Sequence, residues 1–167
     1  MDKYEILALL VLGLFLIPIG YLVFIFVIAP LRFRLEEKRH PPKKLDDPVF
    51  GRIEFRDGSW ASVPAEAPDH RIGVDAPETG PTQSQRDFYR ALSADLSSRM
   101  AECKAFIAAQ EDAPSNLSDM TVYFVEIGSD EELDRGQFVI ELSDEEANEI
   151  HRVGFKNGKP ETYGVDD

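Results

Sequence analysis

The side chains able to do chemistry in this chain are few and scattered. His40, His70 and His151 fall in three separate segments. A histidine metal site draws its ligands from short, regular spacings such as H-E-x-x-H, and no such spacing occurs. Cys103 is the single cysteine, so no disulfide framework is available. As a nucleophile it would need a neighbouring base and a depressed pKa, and nothing local supplies either. It lies on the apolar stripe of a predicted helix and reads as a small buried hydrophobe. Two acidic clusters, Asp130-Glu131-Glu132 with Asp134 and Asp144-Glu145-Glu146, offer oxygens of the kind calcium or magnesium uses. Their spacing is not that of an EF-hand loop, and they read as a solvated loop and a solvated turn. Phosphate-loop, dinucleotide-loop and nucleophile-elbow motifs are absent. The sequence therefore assigns no catalytic, cofactor-binding or metal residue and implies no cofactor. Phe50, Trp60 and Tyr89 have the chemistry of interface anchors, but such residues also complete the core of a small sheet.

The elements that would position these groups are legible from periodicity. Val49 to Phe55 alternates, Asp57-Gly58 is a two-residue hairpin signal, and Ser59 to Val63 returns. Arg71 to Val74 is a short third strand. Thr82 with Gln85 forms a capping-box pattern that opens a helix. Phe88, Leu92, Leu96, Met100, Cys103 and Ile107 follow at steps of three and four, which predicts one long helix with a single apolar stripe ending near Ala109. Thr121 to Ile127 is apolar on both faces, as in a central strand. Gln137 to Leu142 alternates. Ile150 to Phe155, Asn157-Gly158 and Glu161 to Val165 form a second hairpin, whose last strand is placed at an edge by Pro160. Ser143 with Glu146 is another capping-box pattern. The expected fold is α+β: a mostly antiparallel sheet with one long helix packed on a face.

Before this domain the chain is different. The 24 residues from Ile6 to Ala29 hold no charge, and 18 of them are Leu, Ile, Val or Phe. A helix of that length reaches ~36 Å, enough to cross a bilayer core. A cleaved signal peptide would have a shorter apolar region and a small-x-small site. The expectation is thus a single transmembrane helix at residues 6–29, with the lipid bilayer as partner, preceded by a tail of residues 1–5. A basic juxtamembrane linker at residues 30–45 and an acidic domain at residues 46–167 follow. Six Lys or Arg follow the apolar run and one precedes it. That bias predicts a single-pass protein of the cell inner membrane with its C-terminal domain cytoplasmic.

Charge narrows the partners. Residues 46–167 hold 27 acidic and 11 basic residues, a net charge of −16. Such a surface repels nucleic acid and favours a basic protein partner. Oligomeric state has no signature in the sequence.

Three stretches carry a resemblance: Asp46-Asp47-Pro48-Val49-Phe50-Gly51, Gly80-Pro81-Thr82-Gln83-Ser84-Gln85, and Val153-Gly154-Phe155-Lys156-Asn157-Gly158-Lys159-Pro160 with the closing Asp166-Asp167. They resemble small bacterial domains of the toxin-immunity-like type over about 120 residues of this chain. Such families usually lack a membrane span, so the apolar run departs from their pattern, and no functional residue carries over. The resemblance implies a non-enzymatic protein-interaction module. The alternative is an enzyme with an acidic, metal-dependent site.

Overall fold

The computed structural model describes residue 24 and residues 41–62, 70–111, 113–143 and 149–166. The chain divides into two compact units, Met1–Pro42 and Lys43–Asp167, and the described elements belong to the second. They are β1 (Lys43–Asp47), β2 (Gly51–Arg56), β3 (Ser59–Ser62), β4 (Arg71–Val74), α1 (Gln83–Ala94), α2 (Leu96–Ala108), β5 (Thr121–Ile127), α3 (Asp130–Asp134), β6 (Phe138–Ser143), β7 (Ile150–Lys156) and β8 (Lys159–Asp166).

All eight strands form one sheet in sequence order. β1 to β4 is an antiparallel meander, and so is β5 to β8. The two meanders meet at the parallel pair β4–β5, Arg71 opposite Phe124 and Val74 opposite Ile127. A parallel neighbour cannot be reached by a tight turn, so the chain crosses over through α1 and α2 between the two strands. Asp57 and Asn157 take positive φ with Gly58 and Gly158 behind them, the backbone that a two-residue hairpin turn demands.

One face of the sheet is the core. Ile53, Trp60, Ile72, Val74, Val125, Ile127, Ile140, Leu142 and Val153 are all at most 1% exposed. Phe138 stacks on Phe155 with centroids 4.3 Å apart, and Phe88 of α1 meets Phe138 edge-on at 5.2 Å. Tyr89, Leu92, Cys103 and Ile107 close the core from the helix side. Phe50 and Trp60 belong there too. Phe50 packs on Tyr89, and the Trp60 indole donates to the Pro77 carbonyl at 2.9 Å.

Several expectations are corrected. The single long helix is two shorter helices that break at Asp95, where φ is −119° and the N–H turns back to the Leu92 carbonyl. Aspartate competes poorly for a helix interior and favours its start. The stripe shifts at the break, so Leu96 and Met100 are only half-buried. The sheet, expected to be mostly antiparallel with one long helix on a face, is a mixed eight-stranded sheet with a parallel pair at its centre. Among the described residues no long helix packs on it. Its first strand, β1, begins at Lys43, inside the stretch read as linker.

The membrane assignment is not supported either. Among the described residues no helix is long and apolar enough to cross a membrane. The apolar run at residues 6–29 lies, apart from Phe24, outside them. The expected single-pass inner-membrane localisation is likewise not supported.

Candidate functional site

The strand ends nearest the described loops gather carboxylates. At one end of the sheet lie the β2–β3 turn, the loop after β4, α3 with the loop before it, and the β7–β8 turn. Between them opens a cleft of about 470 Å³, lined by Asp57, Asp75, Glu126, Glu132 and Glu161 against one cation, Lys156. That lysine is 3.4 Å from Glu161. Glu126 is ion-paired with Arg152.

Buried Gln85 holds this end together. It is 1% exposed. Its side-chain N–H groups donate to the Asp75 carbonyl at 2.7 Å and the Gly128 carbonyl at 2.9 Å. Its carbonyl accepts from the Thr82 N–H at 2.9 Å, while the Thr82 hydroxyl accepts from the Gln85 N–H. The capping box expected from the sequence is therefore present, and its glutamine also ties the β4 and β5 loops to the start of α1. The Thr82 hydroxyl donates in turn to Asp130 at 2.6 Å. Asp130 to Asp134, expected as a solvated loop, form the short helix α3. It has its own capping box: Glu132 accepts from the Ser129 N–H at 2.8 Å and from its hydroxyl at 3.0 Å. The Ser129-x-x-Glu132 signature could have shown this from sequence. The second cluster, Asp144 to Glu146, and the Ser143 capping pattern that includes Glu146 lie outside the described residues.

The tip of the β7–β8 hairpin docks on the same end. Asn157 N–H donates to the Arg135 carbonyl at 3.0 Å and Gly158 N–H to the Gly136 carbonyl at 3.2 Å. Gly136 has φ +62°, and a Cβ there would lie 2.8 Å from the Gly158 nitrogen. Arg99 of α2 reaches the hairpin from the other side, donating to the Gly158 carbonyl at 3.1 Å.

The face of the sheet opposite the core is not covered by any described helix. Its charges follow from the register. Asp46 lies opposite Arg52 and Lys44 opposite Glu54. Glu141 lies opposite Arg152. Arg56 sits on β2, Arg71 on β4, Glu126 on β5 and Asp166 on β8. Arg71 donates to the Tyr123 hydroxyl at 2.9 Å and lies 5.1 Å from that ring's centroid. The Phe124 ring covers Gly73, where a Cβ would meet it at 2.5 Å. A trough of about 610 Å³ runs beside these rings, between Glu54 and Arg56 on one wall and Glu141 at its end. Burial pushes the Glu141 carboxyl above the usual glutamate range. Arg152 pulls it back, and the nearby charges of Glu126 and Asp166 push it further up.

The described histidines and the cysteine do not converge on one site. Cys103 is fully buried, and burial pushes its thiol up to about 12, the opposite of activation. The His70 ring bonds Tyr89 at 3.1 Å. His151, 2% exposed, shares a 2.9 Å hydrogen bond with Tyr163 and stacks on that ring, its other ring nitrogen lying 3.6 Å from Glu149. His40 lies outside the described residues. Among the described residues no group of three or more His, Cys, Asp or Glu could hold a metal ion.

No protein-family model, curated protein or solved structure matches this chain.

Proposed function

We propose that this chain is a non-enzymatic protein-interaction module that takes a basic partner at the acidic end of its sheet. The supporting observation is the cleft of about 470 Å³, where carboxylates from separate segments converge on one already-paired lysine. A Lys- or Arg-bearing surface would find compensation there, and the net charge of the domain would steer it in. An immunity-like domain that masks a basic toxin would use such a surface.

The test exchanges carboxylates that line the cleft and have no capping role: Asp57→Asn, Asp75→Asn and Glu161→Gln together. Partners are captured from cells at low and high salt. The parent should recover basic proteins that leave as the Debye length falls from about 10 Å toward 3 Å, and the variant should not recover them. The same partners on both chains, indifferent to salt, would refute the reading.

A further inference from the structure

The open face of the sheet breaks the charge pattern of the molecule. Residues 43–167 hold 27 acidic and 13 basic residues, a net charge of −14. On the open face, hairpin tips aside, Asp46, Glu54, Glu126, Glu141 and Asp166 meet Lys44, Arg52, Arg56, Arg71 and Arg152, five against five. The balance is also polarised. The β1–β4 half has four cations and two acids, +2, and the β5–β8 half has one cation and three acids, −2. Adding Asp57, Lys156, Lys159 and Glu161 at the hairpin tips leaves the halves at +1 and −1.

We infer that the open face is the contact between two copies of this chain. With a two-fold axis running along the strands at the β4–β5 seam, the same surface is used twice and the β1–β4 half of one copy lies over the β5–β8 half of the other. Halves of opposite sign then meet on both sides of the axis. Elsewhere the copies present net negative charge to one another and repel. The area also suffices. Eight strands at ~4.8 Å spacing and five or six residues at ~3.3 Å give ~700 Å² per copy, close to the ~800 Å² of a standard interface. The half-buried Phe124 and Tyr123 supply aromatic area near the centre of the face, on β5 at the β4–β5 seam. Glu126, and at the hairpin tips Asp57, Lys156 and Glu161, border both this face and the cleft. The charge balance across the strands carries this inference, rather than the basic-partner reading, and its variants alter no residue that lines the cleft.

The experiment uses two reciprocal variants of the full chain. The first, Arg52→Glu with Arg56→Glu, makes both halves of the face negative. The second, Gly164→Lys with Asp166→Lys, makes both halves positive. All four positions are exposed, and a side chain added at Gly164 meets no atom within 4 Å. Circular dichroism checks that each variant folds like the parent. Self-association is read by sedimentation and by co-capture of two differently tagged copies. The parent should self-associate as a dimer, each variant should do so at least about tenfold more weakly, and an equal mixture of the two should pair again. A monomeric parent overturns the inference. So does self-association that the variants retain undiminished, or a mixture that fails to pair.

Discussion

Replacing Gln85 with leucine tests the strut that holds the acidic end. Leucine has nearly the same volume, so no large cavity opens. The loss is polar: the Asp75 and Gly128 carbonyls and the Thr82 N–H each lose a partner. An orphaned buried group costs about 1–3 kcal/mol. Asp75 is exposed and Gly128 half-buried, so water can reach part of what is lost. The low end applies to each of the three, and the sum is about 3 kcal/mol. Against a typical domain stability of ~5–15 kcal/mol, that is a large fraction. Urea unfolding should show the loss as a lower midpoint at constant slope, and Tm should fall by about 10 °C. Native-state hydrogen exchange should speed up first at the loops following β4 and β5. A loss below about 0.5 kcal/mol, or exchange that rises evenly over the whole domain, would show that Gln85 is a passive buried residue.

Four further outcomes follow from the geometry. Asp47 accepts from Arg86 at 2.8 Å and from the Val49 and Phe50 N–H groups at 2.9 and 3.1 Å. Burial alone would raise its pKa, but these bonds together hold it below the usual aspartate value. Its contribution is thus full above the unfolded value near pH 4 and lost as pH falls through the lower folded value. Asp47→Asn should cost about 2 kcal/mol at pH 7 and flatten that acid limb in a pH series of urea melts. Glu141 has the opposite sign, its pKa being raised by burial, so its ionised form weakens the fold at neutral pH. Glu141→Gln should raise Tm at pH 7 and leave it unchanged in strong acid, and a lower Tm at pH 7 would contradict the assignment. Gly136→Ala forces a left-handed residue against the Gly158 backbone, and a melt should show a loss of about 1–3 kcal/mol. Cys103 should resist alkylation in the native chain and react only on unfolding, and rapid labelling without denaturant would reject its burial.

How much could be read beforehand depended on how local each signal was. Thr121–Ile127 was legible as a strand because it is apolar on both faces, and Asp57-Gly58 and Asn157-Gly158 marked their turns because few dipeptides accept that backbone. β1 was not legible. Lys-Lys-Leu-Asp-Asp has one apolar residue, and an edge strand needs little more when β2 supplies its hydrogen bonds. The break at Asp95 hid inside an unbroken apolar stripe. The parallel β4–β5 pair was implied by a strand, a helix and a strand in succession, yet the hairpins on either side favoured an antiparallel reading. Of the acidic site, Asp130 to Asp134 stood out as a run. Asp57, Asp75 and Glu161 are single residues far apart in the chain, and only the folded sheet brings them to one cleft.

The sequential strand order also governs how such a chain finds its structure. Each meander grows by joining neighbours across short connections, so little chain entropy is spent before contacts form. The seam between them is different. Forty-six residues separate Val74 from Thr121, and bringing those ends together costs about 3 kcal/mol of loop entropy before the parallel pair returns anything. Until α1 and α2 lie down on the sheet, nothing compensates that closure. Two half-sheets would then wait, each with an unpaired strand facing water, for one crossover to set the rate. Substitutions at the helix–sheet contact, such as Phe88 against Phe138, would slow folding, whereas substitutions in the outer hairpins would mainly hasten unfolding.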